Sequence, residues 1–122
     1  MMDVNVINLK EKAALIKELH AYKRIAGMNN YDFKLVKAQR EFVWHRHPDT
    51  DEVFYAVEGS FSIHLREKIL NLKEGDMVVI PKNVEHKPVC KDLCTVLLIE
   101  PKGTLNTGDA GGALTDTALE DI

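Results

Sequence analysis

Residues 44–59 read WHRHPDTDEVFYAVEG and bring three metal-binding side chains, His45, His47 and Glu52, within eight residues of one another. Side chains alternate along a β-strand, so His45 and His47 should point to the same face. Residues 48–51 (PDTD) are typical of a turn, and Glu52 would then open a strand that returns beside the first. This stretch therefore predicts two antiparallel strands whose two imidazoles and one carboxylate lie close enough to bind the same ion.

A fourth candidate ligand, His86, follows in a second segment marked by proline, IPKNVEHKP at residues 80–88. Three neutral imidazoles and one carboxylate can fill most of the first coordination shell of a divalent transition metal. If they were buried without a metal, each unsatisfied group would cost about 1–3 kcal/mol. The sequence thus predicts one bound metal, and these ligand types are compatible with iron, manganese, zinc or nickel.

Short runs of β-branched and aromatic residues, bounded by Gly, Asn and Pro, recur between residues 22 and 101. They predict strands over 23–28, 31–43, 52–57, 61–65, 69–72, 77–80 and 95–99, with a further strand position at Val89. Because no long helical pattern separates these strands, they predict an all-β sandwich or barrel.

The two ends of the chain differ in composition from this strand region. The sequence therefore predicts an N-terminal segment at 1–21, a barrel at 22–102 and a C-terminal tail at 103–122. Asn8, with Glu11 three residues on, can cap an amphipathic helix over residues 9–20, at whose end His20 would have a structural role. Residues 103–122 hold four of the seven glycines, four acids and no Lys or Arg. Such an acidic, Gly-rich tail is typical of a flexible segment, although Leu114 and Leu119 could pack on a surface.

Composition limits the class of protein. The 122 residues suit one domain, and 45% hydrophobic with 29% charged residues is usual for a globular protein. A net charge of −3 gives no reason to expect nucleic acid or an anionic membrane as a partner. The N-terminal residues lack the pattern of a secretory signal, and Cys90 and Cys94 form neither a CxxC motif nor a zinc pair. We therefore expect a cytoplasmic protein.

The two histidine segments match a known pair of motifs. The pattern H-x-H-x₄-E-x₆-G, formed by His45, His47, Glu52 and Gly59, resembles the first cupin motif. The pattern G-x₅-P-x₄-H, formed by Gly75, Pro81 and His86, resembles the second. With INLKEKAALI, YDFKLVKAQREFVWHRH and LLIEPKGTLNTGD, the chain is similar to small single-domain cupins labelled mannose-6-phosphate isomerase-like.

This resemblance implies a jelly-roll β-barrel, a double-sheet sandwich with a short N-terminal helix, and a metal inside one mouth held by the four residues above. Two positions depart from the pattern. Asn83 stands where the second motif usually has Gly, but Asn also tolerates a left-handed turn. Arg40 stands where similar chains tend to have Gly before the first motif.

Strand alternation gives candidates for the surroundings of the metal. If no bulge intervenes, Lys37, Gln39 and Glu41 share the face of His45, where Lys37 or Gln39 could contact a polar or anionic substrate. A solvated strand face is an equally good interpretation of these three residues. Phe54 should share the face of Glu52.

Two further residues have a structural and a functional interpretation. His64 lies on a strand outside both motifs, so a structural role is favoured over a catalytic one. Cys90, four residues after His86, could line the pocket, with a buried inert thiol as the favoured alternative.

Four protein ligands leave two positions of a six-coordinate metal for water, substrate or dioxygen. The sequence therefore favours a metal-dependent enzyme, of dioxygenase or isomerase type, acting on a small polar molecule. The alternative is a non-catalytic module that binds or senses a small ligand. The family resemblance and the apolar strand at 95–99 also suggest a homodimer.

Overall fold

The computed structural model describes residues 4–122, which form one short helix and nine strands. The helix α1 spans Leu9–Ala14. The strands are β1 Lys23–Met28, β2 Tyr31–Ala38, β3 Glu52–Glu58, β4 Phe61–Leu65, β5 Ile69–Leu72, β6 Met77–Ile80, β7 His86–Val89, β8 Cys94–Pro101 and β9 Glu120–Asp121. The predicted all-β fold is confirmed, and β1, β4, β5 and β6 have the predicted bounds.

The strands form two sheets, a six-stranded one in the order β6-β3-β8-β2-β1-β9 and a three-stranded one in the order β5-β4-β7. The main core includes side chains of both sheets, among them Val36, Phe54, Phe61, Ile63 and Leu98. The result is a two-sheet sandwich whose interior faces also carry the histidine motifs.

The outer face of the large sheet has a core of its own. Leu35, Val57 and Leu97 are buried there together with Ile16, which follows α1. Strand β8 pairs with both β2 and β3 and is covered on both faces by this chain. The apolar run at 95–99 is therefore explained without a partner subunit.

The helix is shorter than the predicted 9–20, because it ends at Ala14 and Leu15 is its C-terminal cap. The Asn8 cap is confirmed, since its Oδ1 accepts a hydrogen bond from the Glu11 backbone N–H at 2.9 Å. His20 has a φ of 67° and binds the end of β2 and the residue after it: its N–H donates to the Lys37 carbonyl, and its Nε2 accepts from the Gln39 N–H. These bonds give His20 the structural role that the sequence predicted, although outside the helix.

Strand β2 ends at Ala38 and not at residue 43 as predicted. Between Ala38 and Glu52 only two isolated bridges occur in the described chain, Glu41 with Val89 and His45 with His86. The chain bends at Arg40. This irregular stretch shifts the alternation of side chains before the first histidine.

The C-terminal tail is not the flexible segment that its composition suggested. Asn106 and Thr107 are buried, and β9 pairs in parallel with β1 and forms one edge of the large sheet. The Ile122 backbone N–H donates to the Arg24 carbonyl at 3.1 Å, and Lys12 Nζ donates to the Ile122 carbonyl at 2.8 Å. The tail thus packs on its own chain, because backbone pairing outweighs the entropy of its glycines.

Among residues 4–122, no helix is both long and apolar enough to cross a membrane.

Candidate metal centre

The four predicted ligands meet inside the sandwich. His45, His47, Glu52 and His86 are all buried, and one ligand atom from each lies within 4.8 Å of the others. The centre of this group is Glu52 Oε1, which is 3.2 Å from His47 Nε2 and 3.2 Å from His86 Nε2. These distances are short, yet neither contact has the angles of a hydrogen bond.

Backbone pairing positions the histidines. His45 and His86 form a narrow antiparallel bridge with N–H to carbonyl distances of 3.0 and 2.9 Å, which brings their ring centroids to 4.3 Å. His47 is held through its carbonyl, which accepts a hydrogen bond from the Asn83 N–H at 2.9 Å. The two sequence motifs are therefore tied together through main-chain bonds on both sides of the ligand atoms.

Two of the rings are fixed in orientation by carbonyl oxygens. His45 Nδ1 lies 2.9 Å from the Val43 carbonyl, and His86 Nδ1 lies 2.9 Å from the Val84 carbonyl. A carbonyl can only accept, so each Nδ1 carries the proton and each Nε2 offers its lone pair to the centre. Metal-ligating histidines are commonly oriented in this way.

Three buried atoms at the centre lack a hydrogen-bond partner among the described residues: His47 Nε2, His86 Nε2 and Glu52 Oε1. Leaving such polar atoms unpaired is costly unless an ion completes them. Three nitrogens and one carboxylate oxygen also suit a divalent transition metal, and the residues thus fit the ion that the sequence predicted.

The protonation states agree with this interpretation. Burial, with the neighbouring His86 ring, lowers the pKa of His45 to about 4, so its ring is neutral at pH 7. Burial would raise the pKa of Glu52, but contacts with His47, His86 and Glu100 outweigh it and keep this pKa below its usual value. His45 therefore offers a neutral imidazole and Glu52 an ionised carboxylate, which are the forms that bind metals.

Glu100 and Lys34 lie behind Glu52, although sequence reasoning did not single them out. Burial and the charge of Glu52 raise the pKa of Glu100 to about 9, against the opposite effect of Lys34. Lys34 Nζ donates to Glu100 Oε2 at 2.9 Å and to the Thr104 carbonyl at 3.1 Å. The sequence did contain a signal for them: Lys34 lies two residues before the core residue Val36, and Glu100 two residues after the core residue Leu98, so both should face the core.

A narrow pocket leads from the sandwich surface to this centre. His45 and Glu52 form part of its wall. The apolar wall residues are Val36, Ala38, Phe42, Phe54, Phe61, Pro88, Val96 and Leu98. The other polar ones are His20, Tyr22, Arg40, Cys90 and Asn106. The sequence led us to expect a polar substrate, for which a more polar pocket wall would be needed.

The structure separates the predicted pocket residues into two groups. Phe54 and Cys90 do line the pocket. Cys90 is buried, with its Sγ 3.1 Å from that of Cys94. His64 lies on β4 outside the pocket.

The prediction that Lys37, Gln39 and Glu41 share the face of His45 is wrong. The alternation breaks in the irregular stretch between Phe42 and His45, so the even-numbered Val36, Ala38, Arg40 and Phe42 line the pocket instead. Gln39 and Glu41 are exposed, and Glu41 pairs with Lys87.

Comparison with known proteins identifies this architecture. The family model of the cupin domain, Cupin_2, matches residues 32–100. The chain belongs to the cupin family. This cupin is 37% identical over 81 residues to the uncharacterized protein YdbB of Bacillus subtilis (strain 168), covering 66% of this chain and 72% of that protein.

Two solved structures resemble this cupin over most of its length. A cupin-2 domain containing protein from Shewanella frigidimarina is 49% identical with a TM-score of 0.77, covering 80% of this chain and 95% of the other. Protein NMB1881 from Neisseria meningitidis is 35% identical with a TM-score of 0.72, covering 80% and 100%. These relatives support the cupin fold, whereas the mannose-6-phosphate isomerase-like subfamily remains a prediction.

Three turn residues of the two cupin motifs adopt left-handed backbone conformations, as expected for Asn83. Gly59, Gly75 and Asn83 have positive φ values of 71°, 94° and 67°. A Cβ at Gly59 would lie 2.7 Å from the Leu93 carbonyl oxygen, so only glycine fits that turn. Pro81 follows β6, and its carbonyl accepts a hydrogen bond from the Val84 N–H at 3.2 Å. The loop from Pro81 to His86 is thereby set by local bonds.

Tyr22 and Asn106 are pocket residues that sequence reasoning missed. Burial, reinforced by the charge of Glu52, raises the pKa of Tyr22, whose side chain adjoins the Asn106 amide. Asn106 is fixed within the tail, where its Oδ1 accepts from the Asp116 N–H at 2.8 Å and its Nδ2 donates to the Leu114 carbonyl at 2.9 Å. A residue placed by loop contacts leaves no periodic signal in the sequence.

Proposed function

We propose that this cupin is a metal-dependent enzyme that acts on a small molecule, with His45, His47, Glu52 and His86 as the metal ligands. The observation that carries the proposal is that Glu52 and His45 belong both to the group of converging ligand atoms and to the pocket wall. A ligand in the pocket would therefore face the metal. Open coordination toward a pocket is typical of catalytic metal sites and not of closed structural ones.

A divalent metal held there would supply a Lewis acid or, if redox-active, a centre that can activate dioxygen. The protein's own groups would do the rest. The apolar wall excludes water from the bound molecule, and the protonated Tyr22 hydroxyl can donate a hydrogen bond into the pocket. Arg40 provides a fixed positive charge at the same wall.

Between the two reaction types, the pocket favours an oxygenase over an isomerase. An isomerase that moves a proton between carbons needs a general base near the substrate. Within residues 4–122, the pocket wall offers none beyond the metal ligands. Tyr22 and Cys90 both have raised pKa values, the first through burial and the second through the Cys94 contact and burial. His20 already accepts the Gln39 N–H at its Nε2.

A non-catalytic binding or sensing module is the second candidate, and the same shortage of proton-transferring groups favours it. Such a module would need only the shape and charge of the pocket. Binding without turnover would distinguish it from an enzyme.

Oxygen uptake tests the proposal. Protein loaded with iron or with manganese is mixed with a panel of small acids, alcohols and amides in an oxygen electrode. We expect substrate-dependent uptake that falls at least about 100-fold in His47→Ala, because the ligand set is then incomplete. Compounds that bind saturably without uptake would support the binding module. Exchange of carbon-bound hydrogen in deuterated water without uptake would support the isomerase.

A further inference from the structure

Arg40 differs from the other arginines of this chain. Arg24, Arg46 and Arg66 each pair with a carboxylate at 2.5–3.4 Å. In the part of the chain that the structure describes, by contrast, no carboxylate lies within 4.0 Å of the Arg40 guanidinium. The side chain is partly buried, and its guanidinium carbon is 5.3 Å from the centroid of the Phe42 ring. It is thus a charge held against an apolar wall without a protein counter-ion.

The charge of Arg40 acts on the pocket. Burial lowers the pKa of His20 on the pocket wall, and the charge of Arg40 lowers it further. Glu52 is the one carboxylate among the described lining residues, and its Oε1 is directed to His47 and His86. The lining of this pocket therefore carries one fixed positive charge, on Arg40, and no carboxylate other than the metal ligand Glu52.

The chemistry of this wall limits what can bind. A partly desolvated guanidinium recognises planar anions through two parallel hydrogen bonds, for which a carboxylate is the natural partner. The main chain of Arg40 is fixed, since its carbonyl accepts the Cys90 N–H at 2.9 Å. Phosphate groups usually need several cations or backbone amides, and Arg40 is the single arginine or lysine among the described lining residues. Phe42, Phe54 and Leu98 line the same pocket and offer apolar contacts.

We propose that the pocket binds small carboxylates with an apolar body of a few carbons, the carboxylate on Arg40 and the body against Phe42, Phe54 and Leu98. Arg40 is then a residue that determines specificity. The proposal rests on the proposed function only in that the far end of the ligand would face the metal ligands. Recognition of the carboxylate by Arg40 does not require a metal.

Binding of simple probes tests this. Isovalerate, butyrate and benzoate, their neutral amides, and inorganic phosphate are titrated into metal-free and metal-loaded protein, followed by ligand-observed NMR and calorimetry at low salt. At least one carboxylate should bind saturably and about tenfold more tightly than its amide. Arg40→Gln should weaken carboxylate binding about tenfold and leave amide binding unchanged, and Arg40→Lys should lie between the two proteins.

Arg66→Gln is the matched control, because it removes the same charge from an exposed arginine that lies over Trp44 and pairs with Glu85, outside the pocket. It should bind every probe as the wild type does. Equal carboxylate affinity in wild type and Arg40→Gln, or no saturable carboxylate binding at all, would overturn the proposal. Tighter binding of phosphate than of any carboxylate would also overturn it.

The two proposals fail separately. Metal content is measured in the same samples and should be equal in wild type and Arg40→Gln. Carboxylate binding that depends on Arg40 in a protein that takes up no metal would refute the proposed function alone. Metal uptake with carboxylate binding that is indifferent to Arg40 would refute the carboxylate site alone.

Discussion

Lys34 Nζ lies 2.9 Å from Glu100 Oε2, and both side chains are almost completely buried inside the sandwich. Glu100 in turn adjoins Glu52, whose negative charge helps to keep the Glu100 carboxyl protonated. A cation, a carboxylic acid and a carboxylate thus follow one another from the core to the predicted metal. The neighbouring Glu100 carboxyl in turn helps to keep the pKa of Glu52 below its usual value, together with the larger effects of His47 and His86.

Glu100→Ala should destabilise the protein by about 2–3 kcal/mol, because it leaves the buried Lys34 ammonium with only the Thr104 carbonyl as acceptor. Glu100→Gln should cost about 1 kcal/mol or less, since an amide still offers an oxygen to Lys34 and an N–H to Glu52. Urea unfolding of the two variants measures the difference. Glu85→Ala removes a half-exposed partner of Arg66 and should change stability by less than about 1 kcal/mol. Equal losses in the two Glu100 variants would contradict this role.

Gly108→Ala should disturb the tail over the metal centre. Gly108 has a φ of 53°, and a Cβ there would lie 2.3 Å from the Arg46 carbonyl oxygen and 3.1 Å from His45 Cδ2. Since backbone must move to make room, we expect a loss of about 2–3 kcal/mol in unfolding free energy and weaker metal binding in a chelator competition.

Gly111→Ala provides a matched control in the same tail. Its φ is 61°, but a Cβ there meets nothing within 4 Å. Only the backbone strain remains, about 1 kcal/mol, and metal affinity should not change. If Gly108→Ala loses no more unfolding free energy and no more metal affinity than Gly111→Ala, the tail does not support the site.

Protonation of His45 should oppose folding of the metal-free protein as the pH falls below about 6.5. His45 has a folded pKa of about 4, below its unfolded value of 6.5, so at this residue the unfolded chain binds more protons in this interval. Glu100 acts in the opposite direction, because its pKa is raised from 4.5 to about 9 and the folded chain therefore binds the extra proton there. The contribution of His45 is thus measured as the difference in unfolding free energy between wild type and His45→Gln, by urea unfolding between pH 4 and 8. Wild type should lose about 3 kcal/mol relative to His45→Gln by pH 4, at about 1.4 kcal/mol per pKa unit, and His64→Gln should follow the wild type. A difference between wild type and His45→Gln that does not change with pH would contradict the assignment.

Pairing of two chains remains a prediction from family resemblance. The exposed apolar side chains of Met77 and Val79, on the edge strand β6, offer a surface for it. Light scattering should then give about 27.6 kDa, twice the chain mass of 13.8 kDa. Met77→Glu should shift the mass toward one chain, whereas Met28→Glu on β1, also exposed, should not. A wild-type mass of about 13.8 kDa would exclude the homodimer.

The sequence predicted the ligand group because its members follow the local geometry of two short motifs. His45, His47 and Glu52 lie on either side of one turn, and His86 follows a proline-marked loop. The pocket wall was harder to predict, since alternation holds only while a strand is regular. The chain is irregular after Ala38, and the alternation breaks between Phe42 and His45. Ala38 and Arg40 therefore line the pocket, and Lys37 and Gln39 do not.

Asn106 could not be found by periodicity at all. It reaches the pocket because hydrogen bonds with Leu114 and Asp116 fold the tail back on itself. The glycines that suggested flexibility instead permit tight turns. The acids of the tail form ion pairs with basic residues of the strands and loops. Asp109, for example, accepts hydrogen bonds from the backbone N–H and the guanidinium of Arg46, the residue between the two histidines of the first motif. Such pairings depend on the whole fold and not on local sequence.

Metal content per chain tests the central claim most directly. Wild type, His47→Ala and His64→Ala are purified without added metal and assayed by elemental analysis. His64→Ala controls for loss of a histidine outside the ligand group. We expect about one divalent transition metal per chain in the wild type and in His64→Ala, and almost none in His47→Ala, because the shell is then incomplete. A wild type without metal, or a His47→Ala variant that retains it fully, would contradict the assignment of His45, His47, Glu52 and His86 as a metal site.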